Sequence, residues 1–441
     1  MRLAALFLSG FVLLASRGVS AQQPSPSAGP KIDLAPEHSQ KPADPPPIGL
    51  GASPATRDEE LARGLTERRF DSAERSISHT SVGGYGEFLV AGTEVEGQGD
   101  RTWIADIPRL VLFVAHTFND RFRAYTEIEV EHALACSSCP GALELEQAYV
   151  DWRLLDDGLG LRAGLVLVPM GIINQWHEPP IYHGAVRPRV ETIVIPSTWR
   201  ELAIGIFGNP IGPLRYEVYG MTGLDPSGFS ADRGIGRGRQ GGALAKANGP
   251  AVVGRVEVEP LLGVIVGAAA YASEAGGNAD HYDATGNRVE ISVPVFGWAA
   301  DARWRRSGLE WKLLYAEWFL PEAGELMTSF DENGVPRFDP ANPVPTHVRG
   351  GYVELGYDVL RPLDTEHQLV PFARLERYDT QVAVPDGFTE NDALAITAYT
   401  FGVSYRPIQQ IVFKGDYQLR YPEADDAPDA GQLSFGFGFM Y

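Results

Sequence analysis

Short segments in which apolar and polar residues alternate follow one another from residue 82 to the end of the chain. In VVGRVEVE (252–259), Val256 and Val258 lie on one side and Arg255 and Glu257 lie on the other. Successive side chains of a β-strand point to opposite faces, so such a segment predicts a strand with one apolar and one polar face.

We count sixteen segments of this kind, which begin near residues 82, 103, 121, 143, 158, 200, 213, 251, 261, 292, 308, 347, 367, 394, 409 and 431. Some connections are tight, as at 156–158, 208–210 and 307–308. The alternate connections are long, at 169–199, 224–250, 274–290, 321–346, 380–392 and 423–430. Short turns on one rim and long loops on the other are typical of bacterial outer-membrane barrels.

The predicted fold class is all-β: a transmembrane antiparallel β-barrel of about 16 strands, with short periplasmic turns and long extracellular loops. The apolar face of each strand then contacts outer-membrane lipid, and the polar face lines the lumen. A soluble sandwich also alternates, but it buries its apolar face and usually has shorter strands.

The last segment, GQLSFGFGFMY (431–441), has one wholly apolar face, made of Leu433, Phe435, Phe437, Phe439 and Tyr441. In a closed barrel this strand pairs with the first one, and no exposed edge remains. A final strand that alternates in this way and ends on Tyr441 also resembles the signal that the barrel-assembly machinery reads. The alternative is an ordinary edge strand, which would be an aggregation hazard in a soluble protein.

The first residues predict export. A charged start, the apolar run LAALFLSGFVLLA and a small-x-small site indicate a signal peptide at 1–21. Residues 22–81 form a Pro- and Ser-rich periplasmic linker that ends in a charged stretch with a possible short helix, and the barrel domain covers 82–441. The predicted location is the outer membrane of a Gram-negative bacterium.

Charge and cysteine content narrow the choice of function. The formal net charge is −20, which argues against a nucleic-acid partner. The two cysteines, Cys136 and Cys139, lie in a turn between two strands, and an oxidising export route favours a small loop disulfide. A catalytic or metal-binding role of this CxxC is the lesser alternative.

Several stretches resemble one family, namely GGYGEF (83–88), PRLVLFVAHTFNDRFRAYTEIEVEHA, LELEQAYVDW, LRAGLVLVPMGIINQWHEPP and IPSTWRELAIGIFG. They are similar to outer-membrane porins grouped with the phosphate-selective porins O and P. The resemblance implies a sixteen-stranded channel, usually a homotrimer, with a loop folded into the lumen. Phosphate selectivity is not carried over, because the loop at 169–199 contains no lysine.

That loop is the best candidate for a pore constriction, since a charged loop held inside a barrel narrows it and sets selectivity. Its candidate residues are Trp176, His177, Glu178, Tyr182, His183, Arg187, Arg189 and Glu191. The alternative is an external loop at a subunit contact. No metal site is predicted here, because two prolines in HEPPIYH exclude the helix on which HExxH chemistry depends.

Charged residues on the polar strand faces are predicted to line the lumen: Arg121, Arg123, Glu127, Glu129, Arg162, Arg255, Glu257, Arg303, Arg305, Arg374, Glu376, Lys414, Asp416 and Arg420. Opposite charges on neighbouring strands can pair and stabilise the wall, or opposed rows can set up a transverse field.

The leading functional prediction is a passive porin for small hydrophilic solutes or ions, without a cofactor. No G-x-S-x-G motif occurs, and we do not predict an enzyme. The alternatives are a structural or adhesive barrel with a plugged lumen, and an anion- or phosphate-selective porin.

Overall fold

The computed structural model describes residues 78–135, 138–363 and 365–441. The predicted signal peptide, linker residues 22–77 and Cys136 lie outside these residues, so the export signal and the disulfide to Cys139 stay predictions. Among the described residues, no helix combines the length and the apolar character needed to cross a membrane.

Sixteen strands of the described chain close into one antiparallel barrel, as predicted. They are β1 (His79–Val95), β2 (Thr102–Thr117), β3 (Phe122–Glu131), β4 (Leu143–Leu155), β5 (Leu159–Leu167), β6 (Arg200–Ile211), β7 (Leu214–Thr222), β8 (Pro250–Leu261), β9 (Val264–Glu274), β12 (Pro294–Arg306), β13 (Leu309–Phe319), β14 (His347–Tyr357), β15 (Gln368–Ala383), β16 (Ala395–Ile408), β17 (Ile411–Pro422) and β18 (Ala430–Met440). A separate hairpin of β10 (His281–Tyr282) and β11 (Arg288–Val289) lies after β9, and the short helix α1 (Ala323–Met327) follows β13.

The barrel closes between β1 and β18. Their register places Phe88 opposite Phe437, and the pairing continues to Met440 opposite Tyr85. The amide of Gly84 donates to the Tyr441 carbonyl at 3.0 Å, and the Tyr441 amide donates back to Gly84 at 2.9 Å. The backbone groups of the last strand are therefore paired on both sides, and the described sheet has no open edge.

Short and long connections alternate, as the sequence predicts, but the turns predicted at 208–210, Pro260 and Pro407 lie within strands. The predicted turn at 208–210 falls within β6, and the chain turns at 212–213 instead. The pairing between β6 and β7 breaks after Gly208 and resumes with Ile211 opposite Leu214. Gly-Asn-Pro here marks an irregularity in the ladder, because proline cannot donate to it.

The two faces of the wall differ as an alternating strand requires. On β8 the outward Val252 and Val256 are 58% and 47% exposed, whereas the inward Val253 and Arg255 are buried. The outward residues of the other strands are likewise mostly large and apolar. Such a surface suits lipid better than water.

The inner wall has two zones on the side formed by β7–β9 and β12–β14. On β13, Glu310 and Lys312 lie toward the short turns, whereas Leu314, Ala316 and Trp318 lie toward the long loops. The apolar zone packs against buried residues of the long loops and forms one hydrophobic cluster inside the barrel.

Three aromatic rings of this cluster pack against one another. Trp199 lies 5.2 Å from Tyr271 and 5.8 Å from Trp318, and the last two rings are 5.6 Å apart, all between ring centroids. Part of the barrel interior is therefore a packed core. The alternation of apolar and polar residues does not reveal this core, because it identifies the inward face of a strand by its polar residues.

Candidate functional site: the loop inside the barrel

The connection between β5 and β6, residues 168–199, lies against the inner wall of the barrel. The Lys414 ammonium donates to the Gly184 carbonyl at 2.9 Å, and the Arg406 guanidinium donates to the Pro180 carbonyl at 2.8 Å. Irregular backbone away from water needs such partners for its carbonyl groups. Side chains of β16 and β17 supply them here.

The loop also contacts strands beyond β18, on a further part of the wall. The Tyr182 hydroxyl donates to Glu87 of β1 at 2.8 Å. His177 Nε2 lies 3.2 Å from Glu146 Oε1 of β4. The loop therefore bridges strands on several sides of the lumen.

Glu191 binds two backbone amides of its own loop and one tyrosine hydroxyl of the barrel wall. The amides of Ile172 and Ile173 each donate to Glu191 Oε2 at 2.6 Å, and the Tyr352 hydroxyl of β14 donates to Oε1 at 2.7 Å. Gly171 precedes these amides with a φ of +74°, and a Cβ there would lie 2.6 Å from Glu191 Oε2. Only glycine fits this approach without strain.

Burial raises the pKa of Glu191 to about 7, although its three hydrogen bonds favour the charged form and act in the opposite direction. This carboxyl therefore titrates near neutral pH.

The other predicted loop residues have different surroundings. Arg189 Nε donates to the Tyr378 hydroxyl of β15 at 3.0 Å, and the Arg187 guanidinium donates to the His177 carbonyl at 3.3 Å. His183 Nε2 lies 3.2 Å from Glu310 Oε2 of β13. The remaining two, Trp176 and Glu178, are half-buried beside His177.

Most of the predicted lumen charges form ion pairs along the inner wall, within one strand, with the next strand or with the next but one. Arg374 Nη1 lies 3.0 Å from Glu354, and its Nε lies 2.8 Å from Glu376. Arg255 Nη2 lies 2.6 Å from Asp301. These contacts fit the mutual neutralisation that the sequence predicts.

Other predicted lumen charges also have partners. Arg162 contacts Asp151, Arg303 contacts Glu257, Arg305 contacts Glu310, and Asp416 accepts a hydrogen bond from the loop amide of Ala185. Arg123 faces Asp151 across the β3–β4 ladder, and Arg420 of β17 is half-buried.

Arg121 corrects a strand boundary. The predicted third strand begins at 121, but β3 begins at Phe122, and Arg121 lies exposed in the preceding turn. The asparagine turn explains the shift, since the Asn119 side chain accepts from the amides of Arg121 and Phe122.

Two inward charged residues, Arg109 and Glu146, escape the sequence pattern. Arg109 lies on β2, whose sequence is apolar on both faces, and it contacts Glu87 at 2.9 Å and Glu129 at 3.5 Å. Glu146 faces the lumen because the β3–β4 register shifts next to it. The broken alternation at the start of β4 is the signal that could have found it.

The wall formed by β1–β4 is consequently acidic. The inward carboxylates of this sector are Glu87, Glu127, Glu129, Glu131, Glu144 and Glu146. Arg109 lies among them, and Arg200 of β6 contacts Glu144. Carboxylates outnumber these arginines on this side of the lumen.

No family model matches the chain. An uncharacterized protein of Aquifex aeolicus (strain VF5) is 30% identical over 340 residues, which cover 76% of this chain and 74% of that protein. The chain belongs to the same family as this Aquifex protein. This relationship shows the family, but the Aquifex protein is uncharacterized and therefore indicates no activity.

Solved structures share the fold. OmpF of Salmonella typhi, in complex with daunomycin, matches with a TM-score of 0.54 and 11% identity over 82% of this chain and 98% of that chain. The outer-membrane channel DcaP of Acinetobacter baumannii matches at 0.51 and 10% over 82% and 97%. An anion-selective porin from Comamonas acidovorans matches at 0.50 and 10% over 83% and 100%. The fold is that of outer-membrane porins.

Proposed function

We propose that this protein is an outer-membrane channel for the passive diffusion of small hydrophilic solutes or ions, and not an enzyme. The observation that carries the proposal is the loop at 168–199, which crosses the inside of a closed barrel and is tied to strands on several sides. In this proposal the loop is the constriction, and its charged residues select what passes. The porin fold of OmpF and DcaP supports the same conclusion.

The proposed route follows the acidic wall formed by β1–β4. The opposite wall is closed by the apolar cluster, whereas here charged side chains reach the rim of the long loops. A polar cavity of about 320 Å³ lies at this rim and is lined by Glu131, Glu144, Arg200 and Arg239, among others. We therefore expect a preference for cations.

The test is single-channel conductance of the refolded protein in a planar bilayer under a KCl gradient. We expect discrete open steps and a reversal potential on the cation side. Replacing Glu131 by glutamine should move the reversal potential toward the anion side, because a carboxylate that lines this cavity is lost. Glu332→Gln removes the same charge from an exposed loop position and should leave the potential unchanged.

A plugged structural or adhesive barrel is the second candidate, and the apolar cluster that fills part of the lumen favours it. If correctly folded protein shows no conductance, the channel proposal fails and the plugged barrel takes its place.

We also propose that the protein belongs with the porins that are similar to the phosphate-selective porins O and P. This membership implies a homotrimer. A reversal potential on the anion side would favour anion or phosphate selectivity. The Comamonas porin is named as anion-selective. Crosslinking in detergent, followed by size analysis, would test the trimer.

A further inference from the structure

We propose that Glu127, Glu146 and His177 form a binding site for one divalent transition-metal ion, with Zn²⁺ as the best fit. The three side chains come from β3, from β4 and from the loop at 168–199. All three residues are buried, and one potential ligand atom of each lies within 4.8 Å of those of the other two. The site does not depend on whether the barrel conducts.

The local backbone aims Glu146 at this point. Glu127 pairs with Gln147, but the next residue, Ile128, pairs with Leu145, so Glu146 is an extra residue in β4. As a result, the consecutive residues Glu146 and Gln147 are both buried. A β-bulge re-aims a side chain in this way, and bulges are frequent beside functional sites.

Glu146 has no other partner that explains its burial. Its exposed fraction is 0%, and neither carboxylate oxygen accepts a hydrogen bond from the described residues. Its contact is with His177 Nε2, at 3.2 Å from Oε1, and that nitrogen also makes no hydrogen bond of acceptable geometry. A buried carboxylate needs a cationic or hydrogen-bonding partner, and a metal ion shared with His177 would supply one.

The histidine is oriented as a ligand. Its Nδ1 lies 3.2 Å from the Asn174 carbonyl oxygen, which can only accept, so Nδ1 carries the proton. The lone pair of a neutral His177 is then on Nε2, the nitrogen that faces Glu146. Histidine ligands of metals usually donate their other N–H to a carbonyl or carboxylate in this way.

Glu127 is oriented by a second contact. The Gln147 amide donates to Glu127 Oε2, and the Tyr125 hydroxyl donates to the same oxygen at 3.3 Å. Hydrogen bonds of this kind fix metal-binding carboxylates in place.

The donor set selects the class of ion. One imidazole nitrogen and two carboxylate oxygens suit Zn²⁺, with a fourth position left for water, whereas Ca²⁺ and Mg²⁺ prefer oxygen ligands alone. Ligand atoms about 2.1 Å from tetrahedral zinc lie about 3.4 Å from one another. The 3.2 Å between His177 Nε2 and Glu146 Oε1 is close to this spacing.

The same loop contains a natural comparison. His183 Nε2 also lies 3.2 Å from a carboxylate, that of Glu310. There, however, Arg305 lies 2.8 Å from the other oxygen of Glu310. A cation already neutralises that pair, so we expect no metal there.

The test is Zn²⁺ binding to the refolded full chain in detergent, after chelator treatment and dialysis, measured by calorimetry. We expect one Zn²⁺ per chain. His177→Gln and Glu146→Gln should each weaken binding by at least about tenfold, and Gln147→Leu by about 10–100-fold, the range for residues that orient ligands. His183→Gln should bind as the parent does. A difference in electrophoretic mobility between unheated and heated samples would verify that each variant is folded.

Co²⁺ gives a second readout. Its visible spectrum should show tetrahedral coordination with a nitrogen ligand, and His177→Gln should change it. Either of two results would overturn the proposal. One is the absence of stoichiometric Zn²⁺ binding, which would mean that protonated His177 simply pairs with Glu146. The other is equal loss of binding in His183→Gln and His177→Gln.

Discussion

At the scale of single residues, Glu191 is one of the contacts that hold the loop in its path. It accepts hydrogen bonds from two loop amides and from Tyr352 on the wall. Replacing it by alanine leaves buried amides unpaired, at a cost of about 1–3 kcal/mol for each such group. Glutamine keeps an acceptor oxygen for the two amides.

We predict that Glu191→Ala loosens the loop and that Glu191→Gln does not. The measurement is hydrogen exchange at the amides of Ile172 and Ile173, which should become faster in the alanine variant alone. Equal exchange in all three proteins would show that Glu191 does not hold the loop.

The same residue predicts a pH dependence. The pKa of Glu191 is raised from 4.5 to about 7, so the native state binds this proton more tightly than the unfolded chain. Its contribution to stability is therefore fully present below about pH 4.5 and declines as the pH rises toward 7. Protection of Ile172 and Ile173, corrected for intrinsic exchange, should fall across this window.

Glu191→Gln, which mimics the protonated acid, should remove that trend. Tyr352 and Asp301 face the same group and stay unchanged in this comparison. A pH trend that persists in the glutamine variant would assign it to another residue.

At the scale of elements, the two faces of the last strand, β18, make different contacts. The outward face of β18 carries aromatic residues, and the Phe437 ring lies 5.0 Å from Phe413 and 5.7 Å from Phe88 on the neighbouring strands. Its inward face carries Gly436 and Gly438. A Cβ on Gly438 would lie 2.4 Å from the Cβ of Pro179. The glycines therefore leave room for the loop.

We predict that Gly438→Leu displaces the loop from the wall and increases single-channel conductance. The control is Gly220→Leu, because Gly220 is exposed on β7 and an added Cβ would meet nothing closer than 3.9 Å. Conductance that stays at the parental value in Gly438→Leu would contradict the role of the loop as the constriction.

At the scale of the whole molecule, the apolar outer surface is the feature that distinguishes a membrane barrel from a soluble one. We predict that Val256→Arg, in the middle of β8, destabilises the protein in lipid bilayers by about 2–4 kcal/mol near the midplane. Val256→Leu should be close to neutral. Reversible unfolding from liposomes measures both. A neutral arginine variant would mean that this face does not contact lipid.

The alternation of residues along the chain predicted most of the fold. Strand type, the sixteen segments, the closure by the aromatic strand and the alternating loop lengths follow from local patterns. Arg255, Arg374 and Lys414 are buried on the polar faces of their strands for the same reason. Each of these properties depends on neighbours in sequence, since the two faces of a strand have a period of two.

The tertiary structure alone decided what fills the barrel and which charges meet. Glu146 reaches the lumen through a shift in register, Arg109 lies on a strand without alternation, and His177 meets Glu146 from a distant loop. The apolar inner wall around Trp199 and Trp318 was also not predicted. Strand register and the path of a loop arise from contacts between residues far apart in sequence, and no local period encodes such contacts.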